Sequence, residues 1–451
     1  MPCEHCPHCQ EAERIEKERL EGERLEQERI AAVLAAQNGG FAPIVPNPDG
    51  PNMEVPDLRP EQMAIAMDIC NNWKQSKLHC IRGNSQTGKT WLLNAITILL
   101  RNNLTNVQVI SSGPFPQDAK PLQKVYNLAD HVLEDVDVFI FDNANMVSEQ
   151  AMREFSAKLM RAMLSDEVFG GKSVILATDF GLMLPFVSDF KNKVQASLKK
   201  MVENVVAPFK QHVLPTGEDG WSKYLDVVRR SPKVEIPAEN RVKDIDELMN
   251  FVYGDVDKGA PLMNAVILAP RNSDVDLINN KMFSMIRKKV HILEAQNIGG
   301  AIRTDQEVHK LRLKIGSILI LEDSFEGHPK GTRVLLEDIS SHHLNCRDLV
   351  TGRVIDIERT KRFLSPNENT PRRNVKEDQR QVKQFPVSLG FATTIHSGQT
   401  RKYEKMGLFH MDKIFEHGML YNSFSRVLEM DQWRILVDGP VLENKLEASL
   451  L

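Results

Sequence analysis

The 451-residue sequence lacks long apolar runs, a signal-peptide pattern and an even distribution of cysteine. No apolar run approaches the roughly 18–20 residues that cross a bilayer, which predicts a protein with no membrane partner. The N-terminus does not show the basic-then-apolar order of a secretory signal, so we expect a soluble intracellular protein. Of the 6 cysteines, three lie within the first nine residues and the others are scattered, which excludes a disulfide framework.

The sequence also lacks a strong charge of either sign. The formal net charge is −4, and residues 1–30 account for all of it with nine acidic and five basic residues. Because the remaining chain is neutral, a nucleic-acid site would have to be a local groove rather than a general basic field. The length is sufficient for two or three domains, and the hydrophobic content of 41% is sufficient to form their cores.

The first 57 residues differ in composition from the rest of the chain. Residues 1–9 contain cysteines and histidines so close together that we favour a flexible tail, with a zinc site as the alternative. Residues 14–30 repeat every five residues, a step that forms no apolar stripe on a helix. This repeat predicts a solvated charged helix or a disordered segment, and the Gly/Pro/Asn-rich residues 38–57 predict a linker.

From residue 58 onward, short apolar runs alternate with helical stretches. The runs are LHCIR, VQVIS, DVFIFD, SVILATD and AVILAP. This alternation predicts a parallel sheet flanked by helices. In residues 313–382 the apolar runs are closer together and are separated by glycine turns, which predicts a small β-barrel.

Residues 83–90, GNSQTGKT, match the phosphate-binding pattern G-x-x-x-x-G-K-[ST] in full. A strand candidate precedes the motif and a helix candidate follows it, which disfavours a chance glycine-rich turn. In such a P-loop the backbone N–H groups hold the phosphates of ATP, Lys89 reaches the β- and γ-phosphates, and the Thr90 hydroxyl binds Mg²⁺. The expected nucleotide-binding residues are Gly83, Asn84, Ser85, Gln86, Thr87, Gly88, Lys89 and Thr90.

Asp142 follows the apolar run DVDVFIF, where a P-loop ATPase keeps its second Mg²⁺ contact. The alternative, a carboxylate that only caps a strand end, is disfavoured by the P-loop upstream. The next residue, where such enzymes place a glutamate that handles the attacking water, is Asn143. Its amide cannot accept a proton at neutral pH, so the sequence predicts a nucleotide site with an altered base position.

Taken together, these segments resemble the PIF-one family of superfamily-one B DNA helicases, especially the helicase end of Helitron-type transposon proteins. The resemblance runs from about residue 58 to residue 436. LRPEQ (58–62) is similar to the adenine-reading segment, with Gln62 as its glutamine, and FGGKSVILATDFGLMLPFV (169–187) is similar to the γ-phosphate sensor. FPVSLGFATTIHSGQT (385–400) and HGMLYNSFSRV (417–427) are similar to the last two helicase motifs.

The resemblance implies an α/β fold with two RecA-like P-loop domains, ATP at their interface and an inserted SH3-like β-barrel. The implied division is a tail, charged helix and linker at 1–57, a first motor domain at 58–230, a second at 231–312 and 383–451, and the barrel at 313–382. The implied activity is ATP-dependent movement from 5′ to 3′ along single-stranded or forked DNA. The implied context is genome maintenance in the nucleus, meaning DNA repair, recombination or telomere maintenance.

The resemblance also assigns expected site residues. The catalytic set is Lys89, Asp142, Asp179 and the arginine finger Arg426, with Asn143 at the altered base position. The DNA-contacting set is Ser111, Ser112, Thr394, His396, Ser397 and Gln399. A further basic group suits either DNA contact or a solvated loop, and it comprises Lys361, Arg362, Arg372, Arg373, Lys376, Arg380, Arg401 and Lys402.

Several positions depart from the family pattern. Leu182 replaces the sensor glutamine, residues 216–220 (TGEDG) lack an expected arginine, and TIHSGQT is about two residues short. Asn143 adds to these departures, because a positioned general base contributes roughly 10²–10⁴ in rate. Together, the altered positions predict impaired hydrolysis. Two functions therefore stay open, a weakly active helicase and a pseudo-helicase that binds nucleotide and DNA. A P-loop small-molecule kinase is disfavoured by the second motor domain and SFSRV, and the sequence does not indicate the oligomeric state.

Overall fold

The computed structural model describes residues 53–111, 119–183, 199, 202, 209–254, 264–297, 310–363 and 381–448. The expected N-terminal tail and charged helix, and the linker as far as residue 52, lie outside the described residues. The chain forms two compact units, one of residues 1–226 with 447–451 and one of residues 227–446. Within the described ranges, no helix combines the length and the apolar character needed to cross a membrane.

The first unit contains a six-stranded sheet in which every pair of neighbouring strands is parallel. Its strands are β1 (Leu78–Arg82), β2 (Val107–Ile110), β3 (Ala119–Lys120), β4 (Val138–Phe141), β5 (Ser173–Thr178) and β6 (Lys210–Val213). Its helices are α1 (Pro60–Asn72), α2 (Lys89–Asn102), α3 (Leu122–Tyr126), α4 (Asp130–Glu134) and α5 (Glu149–Ala162). Since the strand order is β3-β2-β4-β5-β1-β6, the carboxyl ends of β1, β4 and β5 lie together at one edge.

Alternation along the strands separates the core of this unit into two layers. Val138 and Ile140 of β4 pack in the cluster that contains α1 and α2 residues such as Leu92. Phe139 and Phe141 point to the opposite face, where they pack with Phe155 of α5. Because both faces of the sheet are covered, its strands read as nearly continuous apolar runs.

The second unit contains a second parallel sheet and a larger amount of antiparallel structure. The helix α6 (Gly220–Arg230) spans the boundary, followed by α7 (Ile245–Tyr253), α8 (Asn272–Met285) and α9 (Met419–Phe424). The strands are β7 (Lys233–Glu235), β8 (Arg241–Val242), β9 (Ala265–Ala269), β10 (His291–Glu294), β11 (Gln296–Asn297), β12 (Lys310–Leu313), β13 (Ile318–Leu321), β14 (Arg333–Ile339), β15 (His343–Asp348), β16 (Val354–Glu358), β17 (Thr360–Phe363), β18 (Gln381–Gln384), β19 (Val387–Leu389), β20 (Ala392–Thr394), β21 (Lys405–Leu408), β22 (Trp433–Leu436) and β23 (Val441–Glu443).

The parallel sheet of the second unit has the order β20-β9-β21-β22-β8. Helices α7 and α8 cover it through residues such as Leu248 and Ile278, which pack with Ile267 of β9. A five-stranded antiparallel sheet, β16-β15-β14-β13-β19, has its own apolar core. The predicted α/β class with two parallel sheets is confirmed, whereas closure of the antiparallel strands into an SH3-like barrel stays a prediction.

A buried pair of histidines joins β1 to β6 in the first unit. Nδ1 of His79 and Nε2 of His212 are 3.0 Å apart, and the two rings stack with their centroids at 5.3 Å. Next to this pair, Nζ of Lys210 and Oδ2 of Asp68 form an ion pair at 2.7 Å. Burial lowers the pKa of His79 to about 4 and also lowers the pKa of His212, although the Asp68 carboxylate opposes both shifts. Burial in the folded unit therefore favours the neutral form of both rings.

This pair predicts a loss of stability in mild acid. An unfolded histidine takes up a proton near pH 6.5, whereas buried His79 resists protonation until about pH 4, so stability falls as the pH drops through this window. The maximum loss from His79 is about 3 kcal/mol. We expect that His79→Phe, which removes the titrating group, gains stability relative to wild type between pH 7.5 and pH 5. Urea unfolding at both pH values measures the unfolding free energies of the two proteins. If their difference is the same at pH 7.5 and pH 5, the assignment of the acid-sensitive group to His79 is wrong.

Candidate functional site

The P-loop leaves β1 at Gly83 and enters α2 at Lys89. A side chain at Gly83 would place its Cβ 2.6 Å from the Thr87 hydroxyl oxygen, so the loop folds tightly over this glycine. Gly88 has a left-handed backbone with φ +83°, and a Cβ there would lie 2.4 Å from Nε2 of Gln62. The two glycines of the motif are thus required by the conformation of the loop.

Lys89 binds the loop from which it extends. Its Nζ donates to the carbonyl oxygens of Gly83 and Asn84, each at 2.8 Å. A bound phosphate would compete with these two carbonyl partners for the ammonium group. Because a phosphate oxygen carries more charge than a carbonyl oxygen, the exchange is electrostatically favourable.

Gln62 contacts the P-loop backbone. This residue of α1 is buried, and its Nε2 donates to the carbonyls of Thr87 at 3.3 Å and Gly88 at 3.4 Å. Arg59, just before α1, donates to the same Thr87 carbonyl at 2.6 Å. The adenine-reading role of Gln62 stays a prediction. Arg59 was not identified from the sequence, although its place in the same LRPEQ segment was the available signal.

Asn84 joins the P-loop to the segment that follows β6. Its Nδ2 donates to the Thr216 hydroxyl at 2.9 Å and to the Asp226 carboxylate at 2.8 Å. Thr216 opens the TGEDG segment in which the family resemblance leads us to expect an arginine. Ser85 and Gln86 complete the loop, and Gln86 adopts a left-handed backbone with φ +69°.

Asp142 follows directly after β4 and is 5% exposed. The Thr90 hydroxyl donates to its Oδ1 at 3.0 Å, and the Asn143 amide donates to its Oδ2 at 2.9 Å. Burial raises the pKa of Asp142 to about 6, and the Thr90 hydrogen bond and the nearby charge of Lys89 limit the rise. A hydroxyl and a carboxylate in contact are hard oxygen donors, so Thr90 and Asp142 fit the requirements of a Mg²⁺ ion.

Asn143 has a left-handed backbone, with φ +53° and ψ +47°. Asparagine adopts this conformation more readily than glutamate does, because its short polar side chain is tolerated there. The Asn143 amide is neutral, so it adds no second negative charge beside the Asp142 carboxylate. The residue at the base position therefore suits its local backbone.

Asp179 and Leu182 lie just beyond β5, at the same edge of the sheet as the P-loop. The Asp179 carboxylate is 3% exposed and accepts a hydrogen bond from Gly181 N at 2.9 Å. Leu182 is 7% exposed. A glutamine at position 182 would therefore bring an amide into a largely buried position, and residues 184–187 of the resembling segment lie outside the described residues.

The expected DNA-contacting residues differ in accessibility. Ser111 is 5% exposed, and Ser112 lies outside the described residues. In the second unit the Thr394 and Ser397 hydroxyls are 3.0 Å apart in one turn, with Ser397 exposed. His396 binds the buried Glu416 carboxylate through Nε2 at 2.5 Å. Their roles in DNA binding stay predictions.

Arg426, the expected arginine finger, is 5% exposed and binds groups of its own unit. It donates to the Gln399 carbonyl, to the Asn422 carbonyl at 3.0 Å and to the Ser425 hydroxyl at 2.7 Å. In this conformation Arg426 joins α9 to the loop of residues 395–400. Its catalytic role stays a prediction.

The expected basic group is divided by the structure. Arg372, Arg373, Lys376 and Arg380 lie outside the described residues. Lys361 is exposed on β17, whereas Lys402 donates to the Ser425 carbonyl at 2.5 Å and Arg401 is partly buried. The choice between DNA contact and a solvated loop stays a prediction for this group.

Comparison with known proteins relates this site to helicases, although no protein-family profile matches the chain. The chain is 26% identical over 327 residues to the ATP-dependent DNA helicase Pif1 of Bdellovibrio bacteriovorus, covering 69% of this chain and 70% of that protein. The Pif1 helicase structure from Candida albicans matches with a TM-score of 0.62 and 17% identity, over 88% of this chain and 98% of the other.

A Bacteroides Pif1 helicase in complex with ADP-AlF3 and single-stranded DNA matches with a TM-score of 0.58 and 17% identity, over 86% of this chain and 93% of the other. These structural matches establish a shared fold, in which the two parallel sheets correspond to two RecA-like domains. Together with the sequence similarity, they confirm the predicted resemblance to the PIF-one family.

Replacement of Gly88 by alanine should damage the P-loop. The side chain would be forced into a left-handed backbone against Gln62, a strain of about 1–3 kcal/mol. We expect Gly88→Ala to lose that amount of unfolding free energy in denaturant titrations. The matched control is Gly220→Ala at the exposed start of α6, where a Cβ meets nothing within 4 Å. Equal effects of the two substitutions would contradict the steric argument.

The raised pKa of Asp142 predicts that metal-assisted nucleotide binding weakens in acid. Mg²⁺ binds the ionised carboxylate, and a pKa of about 6 leaves that form in the minority at pH 5. We expect the Mg²⁺-dependent gain in affinity for a non-hydrolysable ATP analogue to fall about tenfold between pH 7 and pH 5. Asp142→Asn serves as the control for titration of the nucleotide itself. An equal pH response in wild type and in this variant would exclude Asp142 as the titrating group.

Proposed function

We propose that the protein is an ATP-dependent DNA helicase of the PIF-one type, which moves 5′ to 3′ along single-stranded or forked DNA and hydrolyses ATP slowly. The observation that carries the proposal is the set of Lys89, Thr90 and Asp142 at one edge of a parallel sheet. The similarity to Pif1 helicases over 327 residues supports DNA as the polymer on which the protein acts.

The site has the groups needed to bind ATP. The P-loop backbone and the N-terminus of α2 hold the phosphates, and Lys89 moves from its carbonyl partners to the phosphate oxygens. Thr90 and Asp142 lie in hydrogen-bond contact and would supply two oxygen ligands for a Mg²⁺ ion. The ion, when bound, neutralises charge on the phosphates.

Hydrolysis is slow in this proposal because the groups that would act on the attacking water are absent. Asn143 can orient a water molecule, but it cannot accept the proton, and its amide is engaged with Asp142. Asp142 cannot replace the base, since it is committed to Mg²⁺. Leu182 offers no hydrogen bond to the γ-phosphate, and the 216–220 segment offers Thr216 where an arginine is expected.

A second candidate function is a pseudo-helicase that binds ATP and DNA without useful turnover, derived from a transposon helicase. The same residues favour it, since Asn143 and Leu182 suit their local structure and together leave the site without its base and sensor. For either function, the family resemblance extends the proposal to DNA repair, recombination or telomere maintenance in the nucleus.

Restoration of the base alone should change little. The substitution Asn143→Glu places glutamate in a left-handed backbone at about 1–2 kcal/mol, and it adds a second carboxylate beside Asp142. We expect less than about tenfold gain in DNA-stimulated ATPase, below the roughly 10²-fold that a positioned base supplies. The triple variant Asn143→Glu, Leu182→Gln, Glu218→Arg should gain more than the single changes combined, because such groups act as one unit.

Steady-state ATP hydrolysis with and without single-stranded DNA is measured for the wild type, the three single variants and the triple variant, with Lys89→Ala as the binding-deficient control. A wild-type rate of about 1 s⁻¹ or more would contradict slow hydrolysis. Saturable ATP binding with no turnover would select the pseudo-helicase. The absence of saturable Mg²⁺–ATP binding to the folded wild type would overturn both functions.

A further inference from the structure

Two buried arginines of the second unit differ in the acceptors that surround them. Arg333 on β14 and Arg426 are 4% and 5% exposed, and Arg401 is partly buried. A buried guanidinium is stable only when its donors are matched by acceptors or by a negative charge. Arg426 meets this condition through the carbonyl and hydroxyl oxygens that it binds. Arg333 does not.

Arg333 keeps one donor nitrogen without an acceptor. Its Nε donates to the Gly390 carbonyl at 2.9 Å and its Nη2 donates to the Tyr253 hydroxyl at 3.2 Å. Its Nη1 is buried and has no hydrogen-bond partner within the described part of the chain. An arginine that is almost fully buried thus leaves one end of its fork unmatched.

Tyr403 adds a second unmatched group at the same place. Its ring centroid lies 6.0 Å from the Arg333 guanidinium carbon, and its hydroxyl is buried without a partner among the described residues. Burial raises the pKa of Tyr403, while the charges of Arg333, Arg401 and Arg426 oppose the rise. The hydroxyl therefore lies in the field of three guanidinium groups.

Burial lowers the pKa of Arg401, and Asp348 places a negative charge nearby that opposes this shift, but the carboxylate oxygens already accept hydrogen bonds from other groups. Oδ1 of Asp348 accepts the backbone N–H groups of Val350 at 2.7 Å and Thr351 at 2.9 Å. Its Oδ2 binds His328 at 2.9 Å. Arg401 lies against Gly331, where a Cβ would be 3.2 Å from its Nη2, and Arg401 is itself partly exposed to solvent.

We propose that Arg333, Arg401 and Tyr403 form a binding site for a phosphate-type oxyanion. A tetrahedral oxyanion accepts hydrogen bonds in several directions, so one such group can satisfy Nη1 of Arg333 and the Tyr403 hydroxyl and neutralise Arg401. A backbone phosphate of DNA and a free phosphate share this chemistry. The site does not depend on ATP hydrolysis, and so this inference does not rest on the proposed helicase function.

The test uses inorganic phosphate and a Lys89→Ala background, which weakens phosphate binding by the P-loop. Isothermal titration should show saturable binding to this parent at constant ionic strength. Arg333→Met, which keeps an apolar stem, and Tyr403→Phe, which removes only the hydroxyl, should each weaken binding about tenfold or more. The matched control is Arg347→Met, an exposed arginine of the same antiparallel sheet that pairs with Glu337 at 2.7 Å. This change should leave phosphate affinity unaltered.

A second titration with single-stranded DNA separates the two sources of the oxyanion. If a DNA phosphate fills the site, Arg333→Met and Tyr403→Phe also weaken DNA binding, and free phosphate competes with DNA. If the ligand is free phosphate, DNA affinity stays unchanged while phosphate affinity falls. The inference is overturned if the parent shows no saturable phosphate binding, or if Tyr403→Phe and Arg347→Met bind phosphate equally well. If the wild type does not hydrolyse ATP but phosphate binding is intact, the result contradicts only the proposed function.

Discussion

The hydrogen bond between Thr90 and Asp142 connects the two parts of the nucleotide site, and the arrangement around it depends on the parallel alignment of the strands. The P-loop leaves β1 and Asp142 leaves β4, with β5 between them in the sheet. Because all three strands run in the same direction, their carboxyl ends meet at one edge, where α2 begins. An antiparallel neighbour would have carried Asp142 to the opposite edge. The 3.0 Å contact is thus a consequence of topology more than of local sequence.

Around this contact, the departures from the family pattern are locally favourable. Asn143 occupies a left-handed backbone that suits asparagine, and Leu182 fills a position that is 7% exposed. Asn84 and Thr216 form a hydrogen bond in the region where an arginine is expected. Active sites commonly hold groups that reduce stability, and replacement of such groups by locally suited residues stabilises the fold at the expense of activity. The slow hydrolysis that we propose is the outcome that such a trade would produce.

The sequence was sufficient to predict the elements whose signals are local. The P-loop motif and the apolar runs of β1, β4 and β5 each depend on a few adjacent residues. The alternating pattern predicted a parallel sheet flanked by helices, and the family resemblance implied two such domains. Hydrogen-bond partners were harder to predict, because they come from distant segments. Asn84 binds Asp226, 142 residues away, and no pattern links the two positions. The left-handed backbone of Asn143 and the burial of Arg426 likewise depend on tertiary packing.

Two arginines of the second unit show why burial alone does not identify a binding site. Arg426 is surrounded by oxygen atoms of its own unit, so its charge is stabilised by the fold and requires no ligand. Arg333 is equally buried, yet its fork meets one carbonyl and one hydroxyl, and Nη1 has no acceptor in the described residues. The difference lies in the number of acceptors that the fold supplies. A charged donor and a hydroxyl that both lack acceptors cost free energy in a folded interior, and the oxyanion that we propose would remove this cost.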